Sequence, residues 1–222
     1  MKKLIVAIGI LFVQVSFGQV TKTLGEYNEV KVFDQLSVQL IHSSENKVEI
    51  TGDRSSEVEI VNKNGQLKLR MPFPKLLSGN NLKIKLYYKN IDIIDVNEGS
   101  IVSSKDTFKQ TAIDLSAQEG ARVEVHLDVD KLKVSAVSGG IVNPTGSATN
   151  QQASLGAGGN LEAKDLKTSQ TTVSVSAGGK AEINASTLVD AKVSAGGAIY
   201  IYGKPKQINQ KTVLGGKIEK KE

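Results

Sequence analysis

Beyond residue 18 the chain alternates apolar and polar residues two by two, as in Val48-Glu49-Ile50-Thr51, Leu82-Lys83-Ile84-Lys85-Leu86 and Val173-Ser174-Val175-Ser176-Ala177. A period of two is the pattern of a half-buried β-strand, and no later segment carries the 3.6-residue apolar period of a helix. In the first part of the chain this predicts strands at Val30–Phe33, Leu36–Ile41, Lys47–Thr51, Val58–Val61, Leu67–Met71 and Leu82–Tyr88. Asn64-Gly65 predicts a tight hairpin, because both residues accept positive φ. Pro72 to Pro74 and Gly79-Asn80-Asn81 mark a loop.

From residue 94 the pattern repeats. Serines anchor strands at Ser116, Ser135, Ser154, Ser174 and Ser194, and each strand runs into a glycine turn ending at Gly120, Gly140, Gly159, Gly179 or Gly197. Gly99 and Gly216 extend the series, 117 residues divided into six intervals of 19.5 on average. Self-similarity at this length predicts a solenoid in which each repeat is one coil stacked on the last. Leucine-rich repeats share the period but need a leucine run and a fixed asparagine that are missing. The expected fold is therefore all-β: a single-stranded parallel β-helix with coils of about twenty residues, right-handed by the usual preference of parallel crossovers. The expected organisation is a leader at 1–18, an N-terminal strand region at 19–93 continuous with the solenoid, and solenoid repeats at 94–222.

Alternation assigns the faces. Leu115, Val134, Ala153, Val173 and Val193 should stack as one interior column, and Ala117, Ala136, Leu155, Val175 and Ala195 as another, with the serines outside. Seven of the ten aromatics precede residue 99, so the N-terminal strands are the expected cap over one open edge. The charged segment Lys217–Glu222 should blunt the other.

Residues 1–18 read as a secretory signal peptide: Lys2 and Lys3, an apolar stretch from Leu4 to Val13, then Ser16 and Gly18 ahead of a cut before Gln19. That apolar stretch is about half of the ~20 residues a membrane helix needs, so no integral membrane segment is expected after cleavage. The 222 residues contain no Cys, which excludes disulfides, thiolate metal sites and a thiol nucleophile. The net charge of +5 falls to +3 without Lys2 and Lys3, and the remaining lysines are interleaved with acids. No basic run is laced with aromatics, so no nucleic-acid partner is expected.

Few residues offer chemistry. Glu98 and Glu119 each precede a turn glycine in successive coils, which would set their carboxylates about 5 Å apart. This pair is the candidate for a carbohydrate-active β-helix enzyme of polysaccharide lyase or hydrolase type; two solvated turn residues, balanced by Arg122, are the alternative. His42 and His126 read as surface residues. No spacing resembles a metal site, and the glycine doublets precede no helix, so neither a metal nor another cofactor is expected. Tyr200 and Tyr202 should point outward if Ile199 and Ile201 point in, and with Tyr87 and Tyr88 they are the candidate contact residues. The serine stripe is a second candidate surface.

Ser16-Phe17-Gly18, the opening strand Phe33-Asp34-Gln35-Leu36-Ser37-Val38 and the turns Ser176-Ala177-Gly178-Gly179 and Ser194-Ala195-Gly196-Gly197 resemble a known family, the putative auto-transporter adhesin head (GIN) domain of secreted Bacteroidetes-type proteins. The resemblance extends over nearly all of 27–218. It implies a β-helical envelope or secreted protein and brings no catalytic residues with it. The expectation is an exported, non-enzymatic binding or structural module located in the periplasm, on the outer surface or in the medium. Its partner would be a glycan or protein, or further copies of itself.

Overall fold

The structure, a computed structural model, describes residues 19–221. The signal-peptide reading of residues 1–18 lies outside the described residues, as does Glu222. The strands of the first part are β1 (Gln19–Thr23), β2 (Glu29–Val32), β3 (Ser37–His42), β4 (Lys47–Thr51), β5 (Glu59–Lys63), β6 (Gln66–Arg70), β7 (Lys83–Tyr88) and β8 (Ile93–Val96). Then come β9 (Ile101–Gln118), β10 (Arg122–Val137), β11 (Ile141–Leu155), β12 (Asn160–Ser176), β13 (Lys180–Ser194), β14 (Ala198–Tyr202), β15 (Gln207–Val213) and β16 (Lys217–Lys220). One 3₁₀ turn, Ser55–Glu57, is the sole helical element among the described residues.

The strands from β9 onward pair in parallel, each with the next coil, through nearly the whole circuit. This is the expected parallel β-solenoid, about seven coils of about nineteen residues. The corners are tight turns in which two successive residues have positive φ. The series runs Glu98-Gly99, Glu119-Gly120, Ser138-Gly139, Ala157-Gly158, Ala177-Gly178, Ala195-Gly196 and Leu214-Gly215. In the first five of these an i to i+3 bond closes the turn, as from Ala121 N to Gln118 O at 3.0 Å and from Gly140 N to Val137 O at 2.9 Å. This is the primed turn geometry that matches strand twist, and glycine fills its second position because left-handed backbone costs it nothing. Each turn also bonds to the next, as from Gly120 N to Ser138 O at 3.1 Å, so the corners form a continuous ridge along the stack.

The interior columns follow the alternation until the last full coil. Leu115, Val134, Ala153 and Val173 pair in succession, but the next residue is Ala191 and not Val193. Likewise Val175 is followed by Val193 and not by Ala195, which occupies the turn. The outer serine stripe is corrected in the same way: Ser174 faces Lys192, while Ser194 faces Ser176. Adjacent column positions compensate in volume: Leu115 sits with Ala117, and Ala153 with Leu155, all buried.

The first part of the chain does not stack in sequence order. β2 lies between β6 and β8, and β3 between β7 and β9, all in parallel. The coil made by β2 and β3 is therefore inserted under the coil made by β6 and β7, 64 residues from its neighbour on the other side, as in Val30 beside Ile94. Its corner is Asp34-Gln35, with φ of 64° and 62° and no glycine. Beyond β7, β4 and then β1 pair antiparallel, while β5 closes a hairpin on β6 through Asn64-Gly65. At the other end β16 pairs with β14, so Lys217–Lys220 belongs to the final coil instead of trailing beyond it.

Candidate functional site

At the C-terminal end Ile199 and Ile201 are fully buried, and this turns Tyr200 and Tyr202 outward, both half-buried. Tyr200 stands in a column between Glu182 and Glu219. In the neighbouring column small Ala198 separates Lys180 from Lys217, leaving both lysines room to lean over the ring. Their Nζ atoms lie 5.5 and 5.8 Å from its centroid, and that of Lys221 at 5.1 Å. Lys164 lies 5.2 Å from the Tyr202 ring. The ammonium groups are held in place by carboxylates: Lys180 donates to Glu182 at 2.7 Å, while Lys217 and Lys221 both donate to Glu219. These bonds hold Lys180 and Lys217 above the usual lysine range and Glu219 below the usual carboxylate range. The result is a flat aromatic and cationic surface on rigid strands, suited to stacking on a ring while its substituents meet ammonium donors.

Tyr87 and Tyr88 belong to the opposite end, seven strand steps or roughly 30 Å away, so the four tyrosines do not form one site. Tyr87 faces outward, donates its hydroxyl to Glu49 at 3.1 Å and lies under Lys47, whose Nζ is 4.3 Å from the centroid. Desolvation, then the bond to Glu49, raises its pKa. Tyr88 is 3% exposed and stacks on Phe108 at 5.3 Å with His42 edge-on. As a surface contact it is corrected: its ring is part of the core, the inward parity it shares with Leu82, Ile84 and Leu86.

Glu98 and Glu119 flank a cleft of about 490 Å³ whose other walls are Gln35, Gly99, Leu76 and Leu77. A third carboxylate stands beside them. Asp34, 1% exposed, precedes Gln35 in the stacked corner and donates its backbone N–H to Glu98 Oε2 at 3.2 Å. Burial first, and then Asp34, raises the Glu98 pKa above its ordinary value. Asp34 accepts from Met71 N and Leu77 N, each at 2.9 Å. It thereby pins both ends of a loop that displays Phe73 (85% exposed), Leu76 and Leu77 to solvent. Sequence reasoning missed this display; its signal was three large apolar residues within a proline-marked loop, where no strand could bury them. Arg122 turns away from the carboxylate pair and contacts Glu124 and Glu162. His126 meets Thr145 at 2.8 Å on the surface, and His42 is exposed. Among the described residues no group of three or more acidic or histidine side chains could hold a metal ion.

Fold and surfaces together define a β-solenoid that presents side chains on long rigid faces. The chain belongs to the family described as "Putative auto-transporter adhesin, head GIN domain", whose model matches residues 26–205. Among solved structures it is similar to a putative adhesin from Bacteroides fragilis, at 21% identity over 94% of this chain and 98% of the other, with TM-score 0.83. A putative adhesin from Parabacteroides merdae is 18% identical over 94% and 97%, with TM-score 0.74. A protein from Parabacteroides distasonis called a putative lipid binding protein is 18% identical over 92% and 96%, with TM-score 0.69. No curated protein matches the chain. Among the described residues no helix is long and apolar enough to cross a membrane.

Proposed function

We propose that this chain is an exported, non-enzymatic binding module of the cell envelope. It would work in the periplasm, on the outer surface or in the medium, and take a glycan partner on the Tyr200–Tyr202 face. The observation that carries this reading is the Tyr200 ring, held outward by two buried isoleucines and surrounded by three ammonium groups. Such a platform suits a sugar ring bearing carboxylate or sulfate groups, and repetition along a rigid scaffold lets shallow contacts add. The test is a glycan array with the purified protein, followed by titration of the best acidic oligosaccharide against Tyr200→Ala. Loss of binding at unchanged melting temperature supports the reading, and equal binding by both proteins overturns it.

A carbohydrate-active enzyme acting through Glu98 and Glu119 is the second reading, favoured by the raised Glu98 pKa in a cleft. Against it, Glu98 already accepts a bond from Asp34, and leucines line the cleft. Soluble glycan products that vanish with Glu119→Gln would establish it over the binding reading.

A further inference from the structure

Two leucines sit where neither the backbone nor the solvent favours them. Leu77 has φ 57° and Leu214 φ 54°, in the left-handed region that asparagine and glycine accept and branched apolar side chains avoid. Leu77 is 54% exposed and Leu214 85%. Leu77 borders the cleft beside the Glu98 and Glu119 corners, and Leu214 occupies the last corner, so they mark opposite ends of one ridge. The Glu119 and Leu214 corners are five coil steps apart, about 24 Å. Between them the corner residues are Ser138, Ala157, Ala177 and Ala195, each paired with glycine.

Charge follows the same direction. Residues 19–130 hold 14 Lys and Arg against 17 Asp and Glu, whereas residues 131–222 hold 12 against 6. Lys192 and Lys211 stand directly opposite each other on adjacent coils, three residues and one coil from the Leu214 corner, with no ion pair for either among the described residues. Stacked like charges repel, so this end is built to meet an anionic surface.

We propose that this ridge is a self-complementary docking surface for a second copy of the chain, packed antiparallel about a twofold axis. In that arrangement Leu214 and the lysines of each copy meet the Leu76–Leu77 cleft and the glutamates of the other. Both contacts form at once because the two patches lie on one line, and the small residues between them let the backbones approach. The pairing closes at two copies.

Sedimentation equilibrium of the purified protein from micromolar to millimolar concentration tests this. The expected result is a monomer–dimer equilibrium weakened at least tenfold by Leu214→Asp and by Leu77→Asp, both substitutions that suit left-handed backbone. Glu98→Lys with Glu119→Lys should be monomeric, as should Lys192→Glu with Lys211→Glu, and mixing these two variants should restore a heterodimer. Circular dichroism of each variant checks that it is folded, and the leucine variants keep the test open if a charge variant is not. A monomer at millimolar concentration, open-ended polymers, or no restoration on mixing folded variants overturns the proposal. So does a protein that remains monomeric yet binds anionic phospholipid vesicles through Leu214.

Discussion

Gly139 and Gly140 are neighbours in one corner, yet the same added methyl should cost very different amounts at each. Gly139 has φ +74° with nothing within 4 Å of a Cβ. Alanine there meets only the left-handed backbone penalty, about 1–2 kcal/mol. Gly140 is buried, and its Cβ would lie 2.1 Å from the Ala117 carbonyl oxygen, 2.4 Å from its carbon and 2.8 Å from Gln118 N. A carbon–oxygen contact needs about 3.3 Å or more, so neighbouring coils would have to open by roughly 1 Å out of about 4.8 Å. The obstacle is backbone inside a ladder, not the end of a flexible side chain. The cost should therefore reach the top of the overpacking range, about 3 kcal/mol or more. Each coil touches only its neighbours, so the misfit stays concentrated at one interface. Urea unfolding followed by circular dichroism would measure both variants, with Gly139→Asn as a control close to wild type. If Gly140→Ala falls within about 0.5 kcal/mol of Gly139→Ala, a margin typical of ordinary surface changes, the account of the corner fails.

Three further outcomes follow from buried polar groups. Burial and Asp34 raise the Glu98 pKa, so the folded chain keeps that proton to higher pH than the unfolded chain, and stability is lost as pH rises from about 4.5 through the raised value. Glu98→Gln should raise the melting temperature at neutral pH by about 2 °C, with no gain below the ordinary glutamate range, as thermal melts across pH would show. Gln151, 3% exposed, sits in an interior column after Ile113 and Leu132, and its Nε2 has no hydrogen-bond partner among the described residues. Gln151→Leu should be neutral or stabilising by about 1 kcal/mol in urea titrations, since Thr171 keeps its bond to Thr168. Asp34→Asn should cost about 2 kcal/mol, because one of its two charge-assisted bonds to the loop is lost, and limited proteolysis should then cut first between Met71 and Gly79.

The repeat was legible because its cause is local: a corner needing positive φ twice in succession writes glycine into the chain at every coil. The register of the last full coil was not, since Val193-Ser194 matches Val173-Ser174 and Val175-Ser176 equally well. A strand of period two looks the same after a two-residue slip. Only the shorter interval from Gly178 to Gly196 distinguishes them. The inserted coil was invisible because its corner, Asp34-Gln35, has no glycine and its neighbour lies 64 residues away. The Tyr200–Tyr202 face could be read from parity, and the same parity would have placed Tyr88 inside. The lysines around Tyr200 could not be read, because they come from the coils on either side of it.

The exposed leucines of the corner ridge, Leu76 and Leu77 on one side and Leu214 on the other, lie at its two ends. Between those ends the corner residues are the small Ser138, Ala157, Ala177 and Ala195, each beside a glycine. The middle coils then act as a spacer whose length sets the distance between the two ridge patches. Deleting residues 140–158 removes one coil and joins Gly139 to Gly159, preserving the corner pattern and shortening the spacer by about 4.8 Å. Both copies of such a variant shorten alike, so it should still pair with itself. Mixed with the full chain it should not, because one end must then be out of step by a whole coil. Sedimentation of the variant alone and of the mixture separates the cases: a mixed dimer as tight as the parent would mean that the two ends are not read together, and the antiparallel ridge pairing would have to be given up.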